Sequence, residues 1–394
     1  MHERHSPGGT LHMRNRIARL ATLLSLAFFA GRAEAVVLLD GKLNVSGYAY
    51  WAYAKTDGNR FQLGTQDGYY DNAALALAVR AQATDSLSAA FQFTQDEDYT
   101  QNGVDYAFFE WKVSDQARIR FGMPKLPIGL SWDVNDVGTV RPFLRLPSSV
   151  YSNTNFGGYS YLGVGATGTF ELPAGHELTY DVFAGGISQF VLSPYDALAV
   201  QTDTNLVTEL GVDVDYPGTW VEMQDCVGGR LTLVTPIPGV QARASYFWGR
   251  TPEEDGPMPT WVAAGSLQYE DERFLLRAEY FHAYEKRAGN GVQGFVENAN
   301  TDAGYVEGGV RFGEHLQVVG KVEATKLHWA GFAGAPSLLR HREAALGVNY
   351  WFTRDFVVKA SAHLADGNRF SLPDDDNAFR ETTREFMLGS QFSF

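Results

Sequence analysis

Apolar and polar residues alternate along most of the chain beyond residue 35. In residues 87–94, Leu87, Ala89, Phe91 and Phe93 fall on one side. Ser88, Ala90, Gln92 and Thr94 fall on the other. In residues 239–249, Val240, Ala242, Ala244, Tyr246 and Trp248 oppose Gln241, Arg243, Ser245 and Phe247. In residues 356–364, Phe356, Val358, Ala360, Ala362 and Leu364 oppose Val357, Lys359, Ser361 and His363. A period of two predicts strands with one apolar and one more polar face.

The connections carry more information. Seven are short, near residues 84–86, 114–116, 171–177, 235–239, 270–272, 313–315 and 353–355. Eight are long and rich in Gly, Asp, Asn and Pro. They span about 55–71, 95–103, 123–158, 188–224, 250–260, 285–301, 328–341 and 366–383. Short and long alternate strictly, so fifteen connections join sixteen strands. The expectation is an all-β chain: a 16-stranded antiparallel transmembrane β-barrel with short periplasmic turns and long extracellular loops. A soluble β-sandwich also gives alternating strands, but its loop lengths have no reason to alternate. Charges also keep to one parity, as in Glu110 and Lys112, Arg118 and Arg120, Arg277 and Glu279, and Lys321 and Glu323. That suits strands whose other face meets hydrocarbon.

The first 35 residues lie outside this pattern. Arg14, Arg16 and Arg19 precede an apolar run from Leu20 to Ala30, and Ala33-Glu34-Ala35 follows as an A-x-A site. The three parts occur in the order of a secretory signal peptide. The expected organisation is a signal peptide at 1–35 and a barrel at 36–394. No later apolar run approaches the roughly 20 residues of a membrane helix.

The chain has 394 residues and a formal net charge of −14. Without residues 1–35 the charge becomes −17, from 27 basic and 44 acidic residues. This acidity argues against a nucleic-acid partner. One cysteine, Cys226, excludes a disulfide framework and a cysteine zinc site. The nine histidines show no HExxH, and no GxSxG elbow or Ser/His constellation is evident. No enzyme, metal or cofactor is expected. Gly163-x-Gly165-x-x-Gly168 lies within a predicted strand with no helix after it, so it is read as close packing rather than a dinucleotide site. The 45% apolar content is read as a lipid-facing surface around a wet interior. Tyr48, Tyr50, Trp51, Tyr53, Tyr246, Trp248 and Tyr280 recur near strand ends, as interfacial girdles require.

The last strand places Phe386, Leu388, Phe392 and Phe394 on one face. This ending resembles the assembly signal of Gram-negative outer-membrane proteins, with Phe392 and Phe394 as its aromatic positions. The resemblance implies recognition by the barrel-assembly machinery. The overall plan resembles the 16-stranded porins of Gram-negative bacteria, over residues 36–394. Residues 120–129 (RFGMPKLPIG) resemble the strand-five exit of phosphate-selective porins. The resemblance implies a homotrimer in the cell outer membrane, in contact with outer-membrane lipid and lipopolysaccharide. It also implies that the loop after strand five, residues 123–158, folds inward and narrows the channel.

That loop carries Lys125, Asp133, Asp136, Arg141 and Arg145, stiffened by Pro124, Pro127, Pro142 and Pro147. The adjoining strands supply Arg80, Glu110, Arg118 and Arg120. These nine residues are the candidate pore constriction, because opposed charges across a narrow aqueous gap set ion preference. Acidic runs at Asp96–Asp98, Glu253–Asp255 and Asp374–Asp376 would concentrate cations at the mouth. The expected function is passive diffusion of small hydrophilic solutes and ions, leaning to cations. The alternatives are a channel selective for phosphate or another anion, an outer-membrane barrel enzyme, and a non-conducting adhesin.

Overall fold

The computed structural model describes residues 35–96, 103–134, 137–152, 158–191, 219–252, 257–288, 296–329, 335–373 and 380–394. Residues 1–34 of the segment expected to be a signal peptide lie outside these. So do Glu97 and Asp98, Asp136, Glu253–Asp255, Asp374–Asp376, and Asp203, Glu209, Asp213 and Asp215 of the long connection after strand seven.

Sixteen strands form one closed ring. They are β1 (Leu43–Thr56), β2 (Tyr69–Gln82), β3 (Leu87–Asp96), β4 (Gly103–Lys112), β5 (Arg118–Met123), β6 (Gly158–Leu172), β7 (His176–Val191) and β8 (Thr219–Val234). The second half is β9 (Val240–Thr251), β10 (Met258–Glu270), β11 (Phe274–Ala288), β12 (Val296–Phe312), β13 (Leu316–Trp329), β14 (Arg340–Trp351), β15 (Phe356–Asp366) and β16 (Thr382–Ser393). Each pairs antiparallel with its neighbours in sequence, and β16 closes the ring on β1, with Ser390 opposite Trp51. A short strand, Val36–Leu38, pairs antiparallel with the start of β1, and two others, Asn59–Phe61 and Ser371–Pro373, pair with each other outside the ring. Closure leaves no unpaired edge, as a lipid environment demands. Among the described residues no helix is long and apolar enough to cross a membrane.

The strand count and every alternating connection match the sequence pattern. Local chemistry explains the short turns. The Thr84 hydroxyl accepts the backbone N–H of Leu87 at 3.0 Å. The Asp271 carboxylate accepts those of Arg273 and Phe274 at 2.8 and 2.6 Å. Such side chains supply the turn's missing acceptors. Gly239 is required by its turn: its φ is +80°, and a Cβ there would stand 2.0 Å from the Glu270 carbonyl oxygen.

The two faces separate by parity. Leu346, Leu267 and Leu162 are exposed on the outside. On the inside, β13 presents Lys321 and Glu323, β14 presents His341 and Glu343, and β15 presents Lys359, Ser361 and His363, all buried. Two expectations need correction here. Tyr48 and Tyr50 do not join an outer girdle; as even-numbered residues of β1 they point inward and are buried. Trp51 and Tyr53 hold the opposite parity. The interior is also not uniformly wet. Residues 124–134 and 137–151 fold into the barrel and pack Leu126, Ile128, Trp132, Leu146, Val150 and Tyr151 against Phe183, Phe247, Val262, Phe281 and Tyr305 of the wall. Each such burial is worth about 1.5–3 kcal/mol, so apolar packing holds the loop at least as firmly as any single hydrogen bond does. The side of the lumen lined by β7–β16 is therefore filled by the loop.

Candidate functional site

The inward loop divides the interior. Its apolar side chains cover β8–β16, and polar wall residues catch its backbone. Glu279 accepts the Leu130 N–H at 2.6 Å, and Arg243 donates to the Leu130 carbonyl at 2.7 Å. Glu323 accepts the Ser149 N–H at 2.8 Å. Asn349 donates to the Pro142 carbonyl at 2.8 Å. The Lys359 Nζ donates to the carbonyls of Gly138, Arg141 and Phe143. These partners satisfy backbone groups that an irregular segment inside a barrel would otherwise bury unpaired.

The space left open lies on the β1–β8 side. A cavity of about 400 Å³ is bounded by Arg80, Arg120, Lys125, Asp133, Asp181 and Arg230, among others. Its charges form a continuous alternating ribbon. Arg80 Nη2 lies 2.9 Å from Glu110 Oε1, and Arg120 Nε lies 2.9 Å from Glu110 Oε2. Arg120 Nη1 lies 3.8 Å from Asp181, and Arg230 Nη2 lies 3.3 Å from the same carboxylate. Arg230 then holds Asp133 with two bonds, at 2.9 and 3.1 Å. Lys125 pairs with Asp105 at 2.5 Å.

Exposure within the ribbon is unequal. The side chains of Arg80 and Arg120 are 59% and 30% exposed, whereas that of Glu110 between them is 7% exposed. Asp181 and Arg230 are also largely covered, at 14% and 9%. The water-facing charge is therefore chiefly guanidinium, with Asp133 opposite. Burial pushes the Asp133 carboxyl up, but the adjacent Arg230 charge and its hydrogen bonds outweigh this and hold it below the usual carboxylate range.

The nine residues expected at a constriction divide accordingly. Arg80, Glu110, Arg120, Lys125 and Asp133 are brought together at this cavity. Arg118 begins β5, at the short-turn end. Arg141 is buried within the packed part of the loop, and Arg145 is half-buried. Asp136 lies outside the described residues. Asp105, Asp181 and Arg230 were absent from the sequence reading. The inward parity of Asp181 and Arg230 was a usable signal; that of Asp105 was not, because it lies at a register shift in β4.

Two clusters on the packed side were also unforeseen. Glu323, His341 and Glu343 stand close enough to hold a metal ion. The Lys321 ammonium, however, already bridges the two carboxylates at 2.7 and 2.9 Å and fills the cation's place. Ser361 Oγ lies 2.8 Å from His363 Nε2, and His363 Nδ1 lies 2.7 Å from Glu343 Oε1. This is the order of a hydrolase triad, and it corrects the expectation that no Ser/His constellation exists. Its surroundings do not suit catalysis. All three side chains are buried, and the Phe143 ring lies against His363 with centroids 5.8 Å apart. A triad needs room for an acyl group and an oxyanion beside its nucleophile.

No protein-family model matches the chain, and no curated protein matches its sequence. Solved structures do. OmpF of Salmonella typhi aligns at TM-score 0.57 and 15% identity, covering 91% of this chain and 99% of that one. An anion-selective porin from Comamonas acidovorans aligns at 0.56 and 9%, covering 89% and 99%. A trimer form of OmpT, an outer membrane protein of Vibrio cholerae, aligns at 0.51 and 12%, covering 89% and 99%. With sixteen strands in a closed antiparallel ring and a loop folded inward after the fifth, this chain has the fold of the Gram-negative porins.

Proposed function

We propose that the protein is an outer-membrane porin through which small hydrophilic solutes and ions diffuse passively. One observation carries this reading: the inward loop leaves a charged, water-accessible cavity on one side of a closed barrel. Export through residues 1–35, insertion guided by Phe392 and Phe394, and assembly as a homotrimer belong to the same proposal. The trimer form of the Vibrio protein supports the last point. Planar-bilayer recordings of the purified chain test it. Discrete conductance steps are expected; their absence would sink the porin reading and favour a plugged adhesin.

A second reading concerns selectivity. The acidic loop sequences support a cation-leaning mouth. The exposed Arg80 and Arg120 support an anion preference at the cavity itself. Reversal potentials in a KCl gradient separate the two.

A further inference from the structure

The charged cavity also has an aromatic wall. The rings of Tyr106 and Phe108 border it on β4, with centroids 5.9 Å apart. Both are half-buried and share the inward parity of Glu110. Pro124 and Pro127 border it from the inward loop. The Arg120 guanidinium carbon stands 5.4 Å from the Phe108 ring centroid, so charge and aromatic face meet at one place.

The guanidiniums beside these rings are incompletely used. Arg80 and Arg120 divide a single carboxylate, Glu110, the first donating through Nη2 and the second through Nε. Among the described residues, Arg80 Nε and Nη1 and both terminal nitrogens of Arg120 donate no hydrogen bond. Arg120 Nη1 faces Asp181 at 3.8 Å, too far for one. The charges run from Arg80 through Glu110, Arg120, Asp181 and Arg230 to Asp133 and alternate in sign. The positive end is the more open: the Arg80 side chain is 59% exposed and that of Asp133 34%.

A bare inorganic ion gains nothing from ring faces, and an uncharged ring gains nothing from guanidinium donors. We propose that this cavity binds planar aromatic carboxylates, of which benzoate is the simplest. The carboxylate takes the unused N–H groups of Arg80 and Arg120, whose planar forks match a pair of oxygens. The ring lies against Phe108 and Tyr106, and the two prolines close the loop side. The cavity volume of about 400 Å³ is within the range of small-molecule sites. The proposal rests on the porin reading above for the solute's access, and narrows it from passage of any small ion to retention of one class.

The test is an NMR titration of the purified full-length chain with benzoate, cyclohexanecarboxylate and benzyl alcohol. The two acids share charge and nearly share bulk, but only benzoate has a flat aromatic face. Benzoate is expected to bind about tenfold more tightly than either other probe, a margin that two ring contacts supply. Phe108→Leu keeps an apolar side chain and every charge. It is expected to weaken benzoate about fivefold and to leave cyclohexanecarboxylate unchanged. Arg80→Gln, at an exposed side chain, is expected to weaken both acids alike, by about tenfold. Arg273→Gln, in a short turn, is expected to change nothing. Equal affinity of the wild type for the two acids would overturn the proposal, as would undiminished discrimination in Phe108→Leu. So would equal benzoate binding by wild type and Arg80→Gln, since the acid would then reside in the detergent. Conductance of the same preparations is recorded in parallel. A chain that binds benzoate but does not conduct overturns the porin reading and leaves this one standing; a chain that conducts and does not distinguish the two acids does the reverse.

Discussion

Glu279 offers a demanding test of how the loop is held. Its Oε1 accepts the Leu130 N–H and the Ser266 hydroxyl, each at 2.6 Å. Its Oε2 accepts the hydroxyls of Tyr305, at 2.6 Å, and Tyr151. Four donors thus converge on one buried carboxylate that joins wall to loop. Glu279→Leu removes every acceptor at once. The Leu130 N–H has no alternative, and a stranded buried donor costs about 1–3 kcal/mol. Tyr151 keeps the Ser131 N–H at 3.0 Å as a donor to its oxygen, but its own proton is stranded. Counting these two gives about 4 kcal/mol, or roughly a thousandfold at tenfold per 1.4 kcal/mol. Glu279→Gln differs. Its amide oxygen keeps two donors, and its nitrogen donates to the tyrosine oxygens. The Tyr151 proton is still stranded while the Leu130 N–H is not, so the loss is about 2 kcal/mol, or roughly thirtyfold. Other tethers keep the loop inside, so the effect is local opening. Hydrogen exchange at the Leu130 amide is the assay. Equal protection in wild type and Glu279→Leu would refute the reasoning, as would a Gln variant as labile as the Leu one.

Arg120→Gln removes one water-facing positive charge from the cavity. An ion passing at about 4 Å in water feels about 1 kcal/mol from it, so the permeability ratio should shift about fivefold toward cations in KCl-gradient recordings. The Asp133 carboxyl is held low in the folded protein, so its stabilising contribution is present above its unfolded value of about 3.9 and lost as pH falls through the folded one. Amide protection over residues 129–133 should therefore stay constant from pH 7 to about pH 4 and decline below that; a decline already at pH 6 would contradict the ion pair. Gly163→Ala should fail to give folded barrel in a heat-modifiability gel, because its Cβ would lie 2.1 Å from the Ala184 carbonyl oxygen and 2.7 Å from Gly185 Cα. Gly265→Ala, whose Cβ meets nothing within 4 Å, should fold at wild-type yield.

The fold was legible because a closed sheet repeats one rule sixteen times. Period-two patterning and turn chemistry are local, so each strand announces itself. Strict parity would also have sent Tyr48 and Tyr50 inward, and only their clustering with Trp51 suggested otherwise. The site was legible in part. Arg80, Glu110 and Arg120 lie on consecutive or nearby strands, and register alone brings them close. The Arg230–Asp133 pair depends on the path of a loop across the lumen, which no local pattern encodes. The packed half was signalled by loop residues too apolar for solvent, such as Leu126, Ile128 and Trp132. Their target was not readable, because the wall residues they cover come from many separate strands.

The seam between β1 and β16 has a kinetic meaning. These two strands lie at opposite ends of the described sequence, yet Phe394 N–H bonds the Gly47 carbonyl at 2.9 Å, and Gly47 N–H bonds the Phe394 carbonyl at 3.0 Å. No intermediate can finish the ring before β16 is present. Every earlier hairpin array carries two open edges, each able to pair with a stranger. Joining β1 to β16 is also the longest-range strand pairing among the described residues and therefore intrinsically slow. Residence in the unfinished state, rather than the strength of any one contact in the finished barrel, is then where this sequence is most vulnerable to aggregation.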